Sequence, residues 1–331
     1  MSRLTTFGNA LYTGERSFDF VGNRVRWYSI GAAIVVLAIV LTILRGGFTF
    51  GIEFRGGSEF RVSAPSDISE QIALDTVGEI VGVDSRPRVS IVGGDSIRVQ
   101  TEQLTDAQTT QLRGELADAY SVEITEVTAS FIGATWGQDI TRQALIGLFV
   151  FLILVSMVMA VYFRTWKMSI AALTALAHDL LITAGIYGVL GYEITPAAVI
   201  GLLTILGYSL YDTVVVFDKV RENTSHDGEE SRRTFAESVN LAVNQTLVRS
   251  INTSVVAVLP VGSILFIGSL LLGAGTLRDI ALALFIGMIA GTYSSIFIAA
   301  PLYVHLRENE AEHKKQGRRV TKAKPTSGAV R

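Results

Sequence analysis

Long apolar runs separated by polar segments dominate the chain, and they lack the regular spacing of polar positions that marks helices facing water on one side. About 20 apolar residues cross a bilayer. Six runs reach roughly that length, at residues 27–44, 140–163, 169–190, 195–217, 250–272 and 280–306. The pattern predicts a polytopic α-helical membrane protein with six transmembrane helices. The first run follows Arg16, Arg24 and Arg26, as a secretory signal would. It is too long for a signal's apolar region, and RGGFTFGIEF after it offers no small-residue cleavage site, so it reads as a retained anchor.

Residues 45–139, between the first two runs, are polar and long enough for a small domain. SEFRVSA (58–64) alternates as a strand. SDISEQIALDTVGEIVG (66–82) carries Ser66 as a candidate N-cap and apolar residues at helical spacing. RVSIVGGDSIRVQT (88–101) reads as a hairpin about a Gly-Gly-Asp turn. A second helix over 105–120 and the strand SVEITEVTA (121–129) complete the order β-α-β-β-α-β. That order suggests a small α+β, ferredoxin-like domain between helices 1 and 2. Such a fold says little about function by itself, and a small structural or docking part is a commoner use of it than catalysis.

Charge sets the orientation. The leader, residues 1–26, carries Arg3, Arg16, Arg24 and Arg26, and FRTWKMS carries Arg164 and Lys167. The loop in 218–249 adds Lys219, Arg221, Arg232, Arg233 and Arg249, whereas the opposite short loops, GYEI and GAGTLRD, hold only Arg278. The positive-inside rule then places both termini in the cytoplasm and 45–139 outside. Residues 307–331, with Lys314, Lys315, Arg318, Arg319, Lys322 and Lys324, are expected to form a basic, disordered cytoplasmic tail.

Composition narrows the chemistry. Cysteine is absent, which excludes disulfides, thiol catalysis and cysteine metal sites. The four histidines, His178, His226, His305 and His313, show no metal-ligand spacing, so no metal is expected. Lys and Arg total 28 against 30 Asp and Glu, a balance that gives no reason to expect nucleic acid.

Polar residues inside the apolar runs are the informative exceptions. In span three Asp179, Thr183 and Tyr187 fall at successive i+4 positions, next to His178. In span four Thr204, Tyr208 and Asp212 do the same. Span five begins with Arg249, Asn252 and Thr253, and span six holds Thr292 and Ser294 within TYSS. Four polar stripes are most cheaply buried by facing one another around a shared interior. Ser and Thr in membrane helices commonly do no more than pack and hydrogen-bond, and Arg249, at a span boundary, could simply snorkel. Asp212 is too short to snorkel far, and five residues at 1.5 Å each place it ~7 Å inside Phe217. A buried carboxyl near a cation can change protonation with a small movement, and a proton crossing ~100 mV supplies ~2.3 kcal/mol, so Asp212, Arg249 and Asp179 form a candidate proton path.

The segments SFDFVGNR (17–24), FGIEFRGG (50–57), ALAHDLLITAGIYG (175–188), GYSLYDTVVVFDKVREN (207–223), NQTLVRSINTS (244–254) and GTYSSIFIAAPL (291–302) resemble, in order, the SecF family, the smaller half of the SecD/SecF protein-export pair. SecD is similar in its membrane half but has a larger outer region and a different fourth-span motif. Glu53 stands where the family more often has Asp, with the carboxylate retained. The resemblance implies a non-enzymatic accessory subunit of the Sec translocase in the bacterial plasma membrane. It implies the proton motive force in place of a cofactor, and a role in late steps of polypeptide export. Its implied partners are SecD, the SecYEG channel, unfolded secretory polypeptides and, as candidate associates, YajC and a YidC-type insertase. Asp212 takes the place of the family's proton-path aspartate and Arg249 that of its intramembrane arginine. Gly51, Glu53, Gly56 and Gly57 look like a joint between membrane and outer domain, a plain turn being the other reading. The alternative function is half of a proton-coupled small-molecule or lipid transporter of the related resistance-nodulation-division type. A structural assembly factor is a third possibility, and it would tolerate loss of the Asp212 charge.

Overall fold

The computed structural model describes residues 3–65, 67–82, 87–92, 94–225, 233–268 and 275–323. Among them six helices are long and apolar enough to cross a membrane. They are built on α2 (Arg24–Leu44), α6 (Ala134–Phe163), α7 (Trp166–Leu190), α8 (Pro196–Ser225) and α9 (Phe235–Ser263). The sixth is α10 (Gly275–Ser294), continued by a π-helical turn at Ser295–Ala299 and by α11 (Ala300–Arg307). A short α1 (Arg3–Thr13) precedes them and α12 (Ala311–Ala323) follows.

Helices outrun the apolar blocks because their ends carry their own stop and start signals. Thr234 and Glu237 form a reciprocal capping box, so α9 begins at Phe235 instead of 250. Gly191, in the left-handed region (φ 71°), ends α7. Thr195 accepts from the Ala198 N–H and starts α8. Pro260 deprives α9 of an internal donor, and a π turn at Ile264–Gly268 follows it within one helical turn.

The bundle is tightest where small residues meet. A Cβ at Gly185 or Gly188 on α7 would overlap Ala38 or Thr42 on α2. One at Gly287 or Gly291 on α10 would overlap Ile205 or Ser209 on α8. Without a hydrophobic effect between helices in lipid, such close approach supplies the dispersion contact that holds them. The buried cluster includes Leu176, Leu206, Phe217, Val243 and Tyr303, contributed by α7, α8, α9 and α11.

Between α2 and α6 lies a second unit. Strands β2 (Gly57–Ser63), β3 (Arg88–Val92), β4 (Ser96–Thr101) and β5 (Val127–Ile132) form an antiparallel sheet ordered β3-β4-β2-β5, with α4 (Glu70–Val81) and α5 (Asp106–Ala119) interleaved in sequence. Phe60, Val62, Ile97 and Val99 are buried with Val77, Leu112, Leu116 and Tyr120. Ser66 lies outside the described residues, and α4 instead starts after Ser69, whose side chain makes no capping bond. Gly93 of the expected turn is also outside them. The last strand begins at Val127, not at 121. Ser121 has φ 54°, and a 3₁₀ turn at Ile124–Glu126 is clamped by Arg113, which donates to the Ile124 and Val127 carbonyls.

Within the region expected to be disordered from residue 307, Ala311–Ala323 form α12, a correction with a clear cause, and residues 324–331 lie outside the described residues. Lys167 Nζ donates to Glu310 (2.7 Å) and to the Leu306 carbonyl (2.9 Å), and Arg307 forks onto the same carboxylate. His313 stacks on Phe235 at 3.9 Å, Gln316 donates to the Arg233 carbonyl, and Val320 is buried. Charge density alone argued for disorder; the apolar side of α12 and its anchored first turn outweigh it.

Arg307, with Lys167, holds the Glu310 carboxyl at about 2, below its ordinary 4.5. A depressed carboxyl stabilises the fold fully above about 4.5 and loses that contribution as pH falls toward 2. Glu310→Gln should therefore lower the midpoint of thermal unfolding at pH 7, and the gap from wild type should narrow below about pH 4.5. An equal gap at every pH would show that the carboxylate's charge plays no part.

Candidate functional site

Asp179 on α7 is the most enclosed carboxylate. Its Oδ2 accepts from Ser209 Oγ on α8 (2.6 Å) and Ser294 Oγ on α10 (2.8 Å), and Oδ1 lies 3.4 Å from His178 Nδ1. Gly291 makes the Ser209 bond possible, since any side chain there would push α8 away. The His178 ring faces Tyr293, with centroids 5.8 Å apart, and Gly31 of α2 lies against its edge.

One turn along α8, Asp212 Oδ1 accepts from Ser250 Oγ on α9 (2.7 Å), while its buried Oδ2 has no hydrogen-bond partner among the described residues. Thr213 and Ser295 share a hydrogen bond (3.0 Å), and Ser254 bonds Thr292. The π turn starting at Ser295 offsets the helix by a residue, and consecutive Ser294 and Ser295 reach different partners on α7 and α8. The result is a row of hydroxyls shared by α7, α8, α9 and α10, with a carboxyl at each of two levels.

Of the residues singled out by sequence, Asp179, His178, Asp212, Ser294 and Thr292 meet in this interior, and the Tyr208 hydroxyl is buried there without a partner among the described residues. Thr204, Asn252 and Arg249 do not. Thr204 faces outward and bonds its own helix at Ile200, because successive i+4 steps drift by about 40° and two of them carry it off the Asp212 face. Placing Ser250 inward turns Arg249, about 100° away, to the surface, where it donates to the Tyr211 hydroxyl (3.3 Å). Among the described residues no ion pair joins Arg249 to Asp212. Asn252, about 200° from Ser250, is exposed. Ser209, Ser250, Ser254 and Thr213 complete the interior without having been singled out by sequence, although Ser209 sits three residues before Asp212 on the same face, and Ser295 joins it from the TYSS stretch.

A third carboxylate, Asp279, was read only as loop. Its Oδ2 accepts from Thr195 Oγ1 (2.9 Å), its backbone carbonyl accepts from the Tyr187 hydroxyl (2.6 Å), and Arg278 lies 3.5 Å from Oδ1. At the joint, β1 (Thr49–Phe50) pairs in parallel with β6 (Glu193–Ile194), and the single turn α3 (Ile52–Arg55) packs on α6 beside Gly137. Gly51 donates to the Ile194 carbonyl (3.0 Å). Gly56 and Gly57 have φ 78° and 147°, and a Cβ on Gly57 would meet the Thr101 carbonyl. Burial pushes the Glu53 carboxyl above its ordinary 4.5, and its Oε2 has no partner among the described residues.

Six membrane-length helices around an interior that holds two carboxylates bonded to serine hydroxyls define a polytopic helical membrane protein. Residues 112–309 match the family model for protein export membrane protein SecD/SecF, C-terminal. The chain is 45% identical over 331 residues to protein translocase subunit SecF of Streptomyces coelicolor, covering all of this chain and 87% of that one. It is 46% identical over 328 residues to SecF of Mycobacterium tuberculosis H37Rv, covering 96% of this chain and 73% of that one. The crystal structure of SecDF from Thermus thermophilus, a translocon-associated membrane protein, superposes with a TM-score of 0.76 at 30% identity over 89% of this chain. That match spans 39% of the SecDF chain, so this chain corresponds to about two fifths of it. The chain belongs to the SecD/SecF family of protein-export membrane proteins.

The double variant Ser209→Ala/Ser294→Ala strips both donors from Asp179 Oδ2. It should lower stability by about 1–3 kcal/mol in detergent unfolding, because a buried acceptor is left unsatisfied. Thr174→Ala, which removes only an exposed bond to its own helix, should change it by less than about 0.5 kcal/mol. Equal effects would mean that the interior network contributes nothing.

Proposed function

We propose that this chain is an accessory subunit of a Sec protein translocase that works with SecD and uses the proton motive force to promote late steps of polypeptide export. The carrying observation is Asp212, buried between helices with one oxygen bonded to Ser250 and the other free to take a proton. SecDF relatives, in which the matched region is part of a longer chain, support SecD as the partner. The channel SecYEG, YajC, a YidC-type insertase and unfolded secretory polypeptides complete the proposed surroundings. No enzymatic activity or cofactor is required in this reading, since the proton gradient supplies the free energy.

Protons enter the hydroxyl row, reside on Asp212 and Asp179, and leave on the other side as the helices shift. Arg249, beside the serine that donates to Asp212, sets the charge around that carboxyl from the bundle surface. The sheet unit acts as an extracytoplasmic ferredoxin-like domain, a reading supported by its β-α-β-β-α-β order and by the central places of its first and third strands. Both termini lie in the cytoplasm of a bacterial cell, as the Lys and Arg distribution supports.

Asp212→Asn keeps the shape and the Ser250 bond but cannot cycle a proton. It should insert normally, bind SecD, and abolish proton-driven secretion of a slow-folding reporter together with proton uptake by vesicles containing SecD. Wild-type secretion and flux from this variant would refute the proton role of Asp212. For orientation, a cysteine replacing Thr110 should react with an impermeant maleimide on intact cells, and one replacing Lys315 only after permeabilisation. The reverse pattern would invert the topology.

A further inference from the structure

Where the membrane bundle meets the sheet unit, a cavity of about 770 Å³ is lined by five arginines, Arg45, Arg55, Arg88, Arg98 and Arg278, and by Glu193. The charges are unequally matched. Glu193 is shared by Arg88 and Arg98, at 3.4 Å from each, and Arg278 lies 3.5 Å from Asp279. Arg45 donates to a neutral acceptor, the Val189 carbonyl (2.8 Å), and forms no ion pair among the described residues. Arg55 makes no side-chain bond among the described residues and is exposed. A cationic excess concentrated in one concavity calls for an anion, and planar guanidinium groups suit phosphate oxygens in particular.

The cavity's height in the membrane says where that phosphate comes from. Arg45 follows Leu44, the last residue of the first span, Gly191 closes the third, and Arg278 stands at the start of the sixth. Three span ends therefore place the cavity at the level of lipid headgroups. The α2 surface just before Arg45 is apolar and open, with Ile43 67% and Leu44 76% exposed, and Phe48 on the cavity wall is 45% exposed. Acyl chains could lie along this surface while a headgroup enters between the arginines.

We propose that this cavity binds the phosphate of an anionic phospholipid headgroup, with Arg45 and Arg55 as its principal cations. The lipid would fill the space between the bundle and the sheet unit and neutralise arginines that Glu193 and Asp279 do not balance. This site is separate from the hydroxyl row and does not depend on the proton reading.

Native mass spectrometry of the full chain in detergent tests it, with phosphatidylglycerol, diacylglycerol and inorganic phosphate as probes. Phosphatidylglycerol should bind and diacylglycerol should not. Arg45→Gln and Arg55→Gln should each weaken phosphatidylglycerol about fivefold, the effect of one cation near an anionic surface. Arg55→Lys, which keeps the charge but loses the planar fork, should bind better than Arg55→Gln and worse than wild type, and Arg142→Gln, on an exposed face of α6, should change nothing. Unfolding midpoints of the variants confirm that they are folded. If the double variant Arg45→Gln/Arg55→Gln binds phosphatidylglycerol as wild type does, or if diacylglycerol binds equally well, the proposal is wrong. Displacement of the lipid by inorganic phosphate at equal concentration would assign the site to a free anion and overturn the lipid assignment.

Discussion

Keeping a carboxyl group inside a lipid-facing helix bundle is the constraint around which this fold is arranged. Asp179 and Asp212 can be buried only if neighbouring helices bring donors to them, and serine is the donor that adds least bulk. Ser209 reaches Asp179 because Gly291 lets α8 and α10 nearly touch, and Ser294 reaches it because the helix changes pitch one residue later. The small residues of the bundle and its polar interior are thus one design. A side chain at Gly291 would meet Ser209 and push that donor away from Asp179.

The two carboxyls are not equivalent. Asp179 has both oxygens engaged and sits beside His178, whereas Asp212 has one oxygen engaged and one without a hydrogen-bond partner among the described residues. A fully bonded group resists change, and a half-bonded one responds to whatever approaches.

Much of this was legible in sequence because burial in lipid is a coarse and unforgiving signal. Six apolar runs gave six helices, and the two intramembrane aspartates stood out against them. Rotation about each helix axis was less legible. Aligning Arg249 with Thr253 instead of Ser250 with Ser254 is an error of one residue, yet it turns a helix by about 100° and exchanges inside for outside. Helix ends were also underread, since capping boxes and glycine stops act outside the apolar runs. α12 was missed because its composition is that of a solvated tail, and only the partners waiting for it, Lys167 and Phe235, give it a reason to fold.

The pairing of β1 with β6 is only two residues long, but it ties together distant parts of the chain: residue 193 follows residue 49 by 144 positions. At synthesis rates of roughly 5–20 residues per second, the first strand waits about 7–30 s for its partner to emerge. The sheet unit, whose strands all lie between them in sequence, has time to fold completely during that interval. The clasp at its base then closes on a finished domain, so the order of events is written into the connectivity: the outer part matures first, and its attachment angle is fixed only when the third span has arrived.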